Sequence, residues 1–461
     1  MKTIYETIPR DITGWKITVL GAGRSGLYVS LLLAKKGAAV VLSDSGNVKI
    51  EEILQKKIEF CKVKLDLGRH SNFIFEADLV VTSPGISDAS PVIRKFQKRG
   101  INIVSEIEAA YWFSRKIDII GITGSNGKTT TTSLIYELFK NSGYNAFCGG
   151  NIGKSFSEVV LEAETSDPAN SIFILELSSF QLERIVHFKP KISLFLNISD
   201  DHMDRYENQP EKYLKAKLRI AMNQGKEDWY FYNSDDKILC QTIPSNCKSM
   251  AFGLSECTDI YFNDGKVYYQ DMAVIHVDQL KLKGRHNLYN ILAALHAAQI
   301  FHLPLEIIRK TLRDFAPVEH RLEYVATIKG VEYYNDSKAT NVDSVRYALE
   351  SFTKPLIVIL GGKDKNSDFS ELIPSLQAHC KLAILMGAAT EKLQKILTGT
   401  LPLIQADSMD NAVKIATKSA LKGDIVLLSP ACASFDMFDN FEHRGRVFKN
   451  CVLKLIAHHD D

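Results

Sequence analysis

The sequence predicts an α/β protein built on parallel sheets, and three observations carry that prediction. Short apolar runs recur along the whole chain, many of them end in Gly, Ser or Asp, and helical patterns lie between several of them. Strands buried on both faces read as continuous apolar runs, as they do in parallel sheets covered by helices. In such sheets ligands bind beyond the carboxyl ends of the strands. The loops that follow the runs are therefore where function is sought.

In the first section the runs are KITVL (16–20), AVVLS ending at Ser43, and DLVVTSPG (78–85). GAGRSG (21–26) stands between KITVL and the helical pattern LYVSLLLAKKG. Asp44 follows the second run. Strand, Gly-x-Gly-x-x-Gly turn, helix and acidic residue together meet the requirements of a dinucleotide fingerprint. A glycine turn at a helix N-terminus accepts any diphosphate, however, and a UDP-sugar supplies one. Asp44 would then face uracil or ribose. These residues leave NAD and a UDP-sugar both open.

In the second section the runs are IDIIGITG (117–124), IFILELSS (172–179) and ISLFLN (192–197). The first runs into Gly124-Ser125-Asn126-Gly127-Lys128-Thr129-Thr130 and then an amphipathic helix. Glycines turn backbone N–H groups toward a phosphate, and the helix N-terminus adds partial positive charge. Lys128 can reach the β- and γ-phosphates, and the Thr129 hydroxyl can ligate Mg²⁺. Strict Walker A spacing asks for glycine at position 122, where the chain has Ile122. Glu176 ends the next run, in LELSSFQLE, where a carboxylate suits Mg²⁺. His202 lies in NISDDHMDRY after the third run. Taken singly, Glu176 reads as an edge carboxylate in solvent and His202 as a loop histidine; their places after successive strands argue for function. Lys217 falls on the apolar side of the pattern EKYLKAKLRIAM. Burying it is costly unless it is paired, so by itself it reads as a stem that snorkels to water.

In the third section the runs are PLIVILGG (355–362), LAILMG (382–387) and DIVLLSPA (424–431). A chain of 461 residues favours two to four domains. Boundaries near Glu106 and Pro317 divide it into 1–106, 107–317 and 318–461. The stretch from Lys226 to Lys283, with its Asn263-Asp264-Gly265 turn, reads as an antiparallel excursion. A net charge of +2 gives no reason to expect nucleic acid. No apolar stretch is long enough for a bilayer, and the N-terminus lacks a signal-peptide core. A cytoplasmic protein without membrane insertion is expected. The eight cysteines include no Cys-x-x-Cys pair, so reduced thiols are expected, with Cys148 and Cys432 as packing residues. The closing His-His-Asp-Asp tail reads as a solvated terminus.

TGSNGKTT, GGNIG (149–153), LELSSFQL, DHMDRY, the lysine in YLKAKLRI, GRHN (284–287), HRLE (320–323), NDSKATN (335–341) and SPACASFDMFDNFEHRG (429–445) occur in this order. Together they resemble the Mur ligases, over nearly the whole chain, and most specifically the branch that adds D-glutamate. The resemblance implies three domains: an N-terminal Rossmann-like UDP-binding domain, a central P-loop ATPase-type domain and a C-terminal Rossmann-like amino-acid-binding domain. It implies ATP-dependent ligation of D-glutamate to UDP-N-acetylmuramoyl-L-alanine through an acyl phosphate, a cytoplasmic step of peptidoglycan precursor synthesis. A monomer using two Mg²⁺ ions is expected.

The resemblance also assigns residues. Gly124, Asn126, Gly127, Lys128, Thr129 and Thr130 would hold the ATP phosphates. Thr129 and Glu176 would ligate the first Mg²⁺, and His202 the second. Lys217 would be carbamylated by CO₂ and act as an anion beside the metals. Asn287 and Arg321 would contact the adenine nucleotide, Asp336 its ribose and Lys338 the phosphates. Thr340 and Lys365, with Lys363 as a second basic candidate, would bind one carboxylate of D-glutamate; Ser434, Phe435 and Phe441 would bind the other. Gly23, Arg24 and Ser25 would meet the UDP diphosphate, Asp44 and Ser45 the uridine, and Ser83, Asn151 and His202 the sugar side. Gly46 stands where one member of the family carries an arginine, which leaves part of the uracil contact open.

The rivals are separable. The DNPR-type motif of the diaminopimelate-adding ligases is not in the sequence. A folylpolyglutamate synthase has no place for the GAGRSG domain. An NAD-dependent nucleotide-sugar oxidoreductase leaves the phosphate loop, Glu176 and NDSKATN unexplained. A non-catalytic nucleotide-binding protein has no use for Lys128, Glu176 and His202.

Overall fold

All nine apolar runs become strands. The computed structural model describes residues 6–9, 11–114, 116–254, 259–269, 271–282, 284–316 and 319–457. Cys257, the boundary at Pro317 and the tail 458–461 lie outside these residues.

The first sheet holds β1 (Lys16–Leu20), β2 (Ala39–Asp44), β3 (Lys64–Leu67), β4 (Leu79–Thr82) and β5 (Asn102–Ser105). Its order is β3-β2-β1-β4-β5, and every pair is parallel. The order reverses direction beside β1, the place at which sheets of this kind bind ligands. The GAGRSG turn follows β1, and Ser83 follows β4.

The second sheet holds β6 (Asp118–Thr123), β7 (Asn145–Gly150), β8 (Ser171–Glu176), β9 (Ile192–Phe195), β10 (Trp229–Asn233) and β11 (Lys248–Phe252). Its order is β11-β10-β9-β6-β8-β7, again all parallel. This corrects the expected antiparallel excursion from residue 226 onward. β10 and β11 extend the parallel sheet, and only β12 (Ile260–Asn263), β13 (Lys266–Tyr269) and β14 (Met272–His276) are antiparallel. The connection from β10 to β11 carries only a short 3₁₀ turn, Leu239–Gln241, so it lacks the helical pattern that marks a crossover. The Asp264-Gly265 hairpin turn does form, with both residues at positive φ.

The remaining sheet holds β15 (Glu323–Ile328), β16 (Val331–Asn335), β17 (Leu356–Gly361), β18 (Cys380–Met386), β19 (Leu403–Gln405) and β20 (Ile425–Leu428), in the order β15-β16-β20-β17-β18-β19. Only the β15–β16 hairpin is antiparallel. Its register pairs Glu323 with Asn335. That pairing brings HRLE and NDSK together from opposite ends of the hairpin.

The chain thus has the expected α/β architecture. By contacts it forms two compact units. One comprises the residues up to Ile198, Glu211–His276 and Tyr289–Leu312; the other comprises Ser199–Pro210, Val277–Leu288 and the residues from Arg313 onward. In the first unit the cores of two sheets are continuous. Leu32 of helix Arg24–Lys35 and Ile107 of helix Glu106–Tyr111 pack with Phe156, Phe173, Leu175 and Phe188. Each such side chain stabilises by about 1.5–3 kcal/mol.

Two buried acids stitch this junction. Glu108 accepts from the indole of Trp112 at 2.8 Å and from three successive backbone N–H groups, Val186, His187 and Phe188, at 2.8–2.9 Å. Four donors on one carboxylate satisfy it fully. Glu106 is less well served. Its Oε1 accepts from the Ser157 N–H at 2.6 Å, while its Oε2 has no partner. Burial pushes its carboxyl up to about 7, against the hydrogen bonds to Ser157. A carboxyl raised on folding lowers stability as pH rises from its unfolded value through its folded one. The wild type is therefore expected to lose stability between about pH 4.5 and pH 7, on the order of 3 kcal/mol. Glu106→Gln should flatten that part of the profile in urea titrations at pH 5 and pH 8.

Candidate active site

Gly124 to Thr130 form the turn between β6 and helix Lys128–Asn141. Gly127 caps the helix with φ of +83°, and a Cβ there would lie 2.3 Å from the Asn290 side-chain oxygen. Only glycine fits, and the helix N-terminus stays open for an anion. Lys128 donates from Nζ to the carbonyls of Gly124 and Ser125, both at 2.8 Å. Thr129 Oγ1 donates to Glu176 Oε2 at 2.7 Å. Asn151 donates to the other oxygen of Glu176 at 2.9 Å. Glu176 is buried, not an edge carboxylate in solvent.

Lys217 is also buried, at 1% exposure, which overturns its reading as a snorkelling stem. Its ammonium donates to the Gly124 carbonyl at 2.8 Å and lies 4.6 Å from the Tyr213 ring centre. A carbonyl and an aromatic face replace the water it has lost. The structure thus gathers Lys128, Thr129, Asn151, Glu176 and Lys217 around one loop. A hydroxyl and a carboxylate side by side are hard oxygen donors, the chemistry that suits Mg²⁺.

Sequence reasoning missed Asn197. Its Oδ1 accepts from the Asn126 N–H at 2.8 Å, its Nδ2 donates to the Asn126 carbonyl at 3.1 Å, and its own carbonyl accepts from the Ser125 N–H at 3.0 Å. These bonds set the shape of the phosphate loop. The available signal was a polar residue directly after the apolar run ISLFL, on the strand beside β6.

At the first sheet, a Cβ on Gly26 would lie 1.8 Å from the Gly21 carbonyl, so the helix closes on the turn only with glycine. Asp44 accepts from the Ala22 N–H at 2.7 Å and from the Gly46 N–H at 2.8 Å, so it locks the turn. Ser83 donates to the Gly21 carbonyl at 3.3 Å. Gly23 and Ser45 are exposed and Ser25 is half-buried. The Arg24 guanidinium is engaged by Glu158.

His202, Asn287, Arg321, Asp336, Lys338, Thr340, Lys365, Ser434, Phe435 and Phe441 belong to the second unit. His202 has φ of +58°, and its N–H donates to Asp201 at 2.9 Å. Asp201 also receives Lys365 at 2.5 Å and Asn341 at 3.2 Å. Lys363 is exposed and forms an isolated backbone bridge with Ala433. Asp336 is fully buried and accepts from Ser429 at 2.9 Å and from the Leu322 N–H at 3.2 Å. Burial pushes its carboxyl up to about 6, and Arg321 opposes the rise. Lys338 Nζ lies 5.1 Å from the Phe441 ring centre. Asn287 and Ser434 are buried, Arg321, Thr340 and Phe441 half-buried, and Phe435 exposed. Arg444, which the motif contained without distinguishing, is buried and donates to Ser337 Oγ, the Ser337 carbonyl and the Cys432 carbonyl at 2.8–3.1 Å. It ties NDSKATN to SPACAS.

Glu319, His320 and Glu323 also converge within metal-ligating distance. Lys449 already bonds both carboxylates, at 2.7 and 2.8 Å. Burial pushes the thiols of Cys148 and Cys432 up to about 12, which suits packing and not nucleophilic attack.

A phosphate loop on an all-parallel sheet, with an acid poised beside its threonine, is the arrangement of P-loop enzymes that act on nucleoside triphosphates. Comparison with known proteins narrows this class. Residues 15–105 match the family described as Mur ligase MurD-like, N-terminal domain; 122–298 match the Mur ligase middle domain; and 320–432 match the Mur ligase, glutamate ligase domain. A UDP-N-acetylmuramoylalanine–D-glutamate ligase of Chlorobium chlorochromatii is 40% identical, covering 97% of this chain and 100% of its own length. One from Koribacter versatilis is 41% identical, over 96% and 98%. Two solved structures share the fold at a TM-score of 0.61: a pseudomurein peptide ligase type C from Methanothermus fervidus (20% identical, covering 96% of this chain and 100% of that one) and UDP-N-acetylmuramate-alanine ligase from Thermotoga maritima (16% identical, 95% and 99%). The chain belongs to the Mur ligase family, and its three domains are those of that family.

Asn197→Ala removes the side-chain bonds that shape the loop. It should weaken Mg²⁺–ATP binding about tenfold, as expected for two lost hydrogen bonds, with the fold intact by circular dichroism. Calorimetric titration reads the change.

Proposed function

We propose that this ligase joins D-glutamate to the carboxylate of UDP-N-acetylmuramoyl-L-alanine with cleavage of ATP to ADP and phosphate. The observation that carries the reading is the phosphate loop, where Lys128, Lys217, Thr129 and Glu176 meet. Relatives of matching length named UDP-N-acetylmuramoylalanine–D-glutamate ligase support the choice of substrates. The nucleotide-sugar carboxylate attacks the γ-phosphorus, and ADP leaves. The amine of D-glutamate then attacks the acyl phosphate carbon, and the tetrahedral intermediate expels phosphate as the amide forms. Positioning and neutralisation of phosphate charge dominate such transfers.

Lys128 and the loop N–H groups hold the phosphates in this reading. Thr129 and Glu176 would hold Mg²⁺, which supplies charge neutralisation on the phosphate oxygens when bound. His202 as a ligand of a second Mg²⁺, and carbamylation of Lys217, are proposed with it. So are the nucleotide roles of Asn287, Arg321, Asp336 and Lys338 and the D-glutamate roles of Thr340, Lys365, Ser434, Phe435 and Phe441. GAGRSG, Asp44, Ser45, Ser83 and Asn151 are proposed to take the UDP-sugar. The domain limits 1–106, 107–317 and 318–461 and action in the cytoplasm as a monomer belong to the same reading. No helix among the described residues is long and apolar enough to cross a membrane.

ATP-dependent phosphate release is measured with UDP-N-acetylmuramoyl-L-alanine and, in turn, D-glutamate, L-glutamate, L-alanine, L-lysine and meso-diaminopimelate. Release with D-glutamate alone is expected; release with another amine would discard the amino-acid assignment. Lys128→Ala should lower kcat at least about a hundredfold, as loss of an electrostatic stabiliser does, while the protein stays folded. For Lys217, ¹³C NMR of enzyme equilibrated with labelled bicarbonate should show a carbamate resonance that is absent from Lys217→Arg.

A further inference from the structure

Glu158 carries no mark of function in the sequence. We propose that it is a positioning residue for the nucleotide-sugar: it holds Arg24 so that the free edge of the guanidinium meets the diphosphate at the GAGRSG turn. The inference rests on the proposed role of that turn.

Arg24 is the first residue of helix Arg24–Lys35. The helix N-terminus carries partial positive charge, so a cation there is disfavoured unless an anion answers it. The helix supplies none. Gly23 offers no side-chain cap, and the first turn holds no acid. The anion comes instead from the second sheet's domain. Arg24 Nε donates to Glu158 Oε2 at 2.7 Å, and Nη2 donates to Oε1 at 2.8 Å. This two-bond fork fixes the guanidinium plane as a single bond does not.

The pair is asymmetric. The Glu158 side chain is 6% exposed and that of Arg24 is 53% exposed. The acid is the fixed half. It sits in helix Phe156–Glu162, whose N-cap Ser155 accepts from the Glu158 N–H at 3.3 Å. The guanidinium is the presented half. It has five N–H groups, and the fork uses two. Its Nη1 edge bonds no group among the described residues, so it can serve a diphosphate while Glu158 keeps its hold.

The same segment reaches the phosphate loop. The Gly150 N–H donates to the Lys154 carbonyl at 2.8 Å, and Asn151 bonds Glu176. The anchor of Arg24 and the clamp on Glu176 therefore lie on one short stretch, 150–158. That stretch sets the diphosphate contact in register with the loop that takes ATP.

The test is a double-mutant cycle on phosphate release, with UDP-N-acetylmuramoyl-L-alanine varied at saturating ATP and D-glutamate. Glu158→Gln should raise KM for the nucleotide-sugar about tenfold, the effect of disordering one charge-assisted contact. The KM for ATP, kcat and the thermal midpoint should change little. Arg24→Gln should raise the same KM at least as much, and the double variant no further, because Glu158 reaches the nucleotide-sugar through Arg24. Glu158→Asp keeps the charge but draws the carboxylate back and breaks the fork. It should raise that KM several-fold, and it serves if the Gln variant does not fold. An unchanged KM in either Glu158 variant, or additive effects in the cycle, overturns the proposal. Wild-type turnover separates the two readings. With turnover and an additive cycle, only the role of Glu158 falls; with no turnover, the assigned substrates fall and the proposal falls with them.

Discussion

Two ammonium groups meet at the carbonyl oxygen of Gly124. Lys128 and Lys217 each donate to it at 2.8 Å, so their nitrogens are no more than twice that distance apart. Like charges at such a separation repel by about 3 kcal/mol at an effective dielectric of 20. The loop tolerates this because one oxygen, the Ser125 carbonyl and the Tyr213 ring share the charge. The proposed carbamylation of Lys217 would remove the repulsion, an arriving polyphosphate relieves it, and the open helix N-terminus favours the same anion. Glu176, Thr129 and Asn151 bond one another beside this loop. They give an otherwise cationic corner its oxygen donors, and they do so at the end of β8, next to the loop.

The chain uses a glycine turn twice, with different consequences. Both turns follow a strand beside the reversal in sheet order, and both open a helix. After β6 the turn leads into Lys128 and Thr129, which suit a triphosphate and its cation. After β1 it leads into Arg24 and Ser25, where the acid at hand, Glu158, is taken up by the arginine. Asp44 does not decide between NAD and a UDP-sugar, because its bonds to the N–H groups of Ala22 and Gly46 shape the turn for either and leave acceptor sites on both oxygens. What such a turn specifies is a diphosphate. The base and sugar are selected by side chains outside it.

In the second unit the organising device is the β15–β16 hairpin. Antiparallel register sets Asp336 against the Leu322 N–H, and Arg444 fastens the neighbouring loops through three of its donors. A guanidinium buried this deeply is disfavoured, and burial lowers its pKa to about 10. It remains because oxygens surround it. Motifs far apart in the chain thereby keep a fixed geometry.

Local pattern was enough to name the parallel α/β class, all nine expected strands, both glycine turns and the polar residues that follow the strands. These are properties of neighbours in sequence: a strand covered on both faces is apolar throughout, and a turn at positive φ favours glycine. The pairing of β10 with β11, the burial of Lys217, the grip of Asn197 on the phosphate loop and the partners of Arg24 and Arg444 came only with the folded chain. Each depends on residues tens of positions away. A lysine on an apolar face has the same sequence whether it reaches water or a carbonyl, and an arginine beside a glycine turn does not announce which carboxylate will hold it. Such outcomes depend on what the rest of the fold places within about 3 Å, the reach of a hydrogen bond.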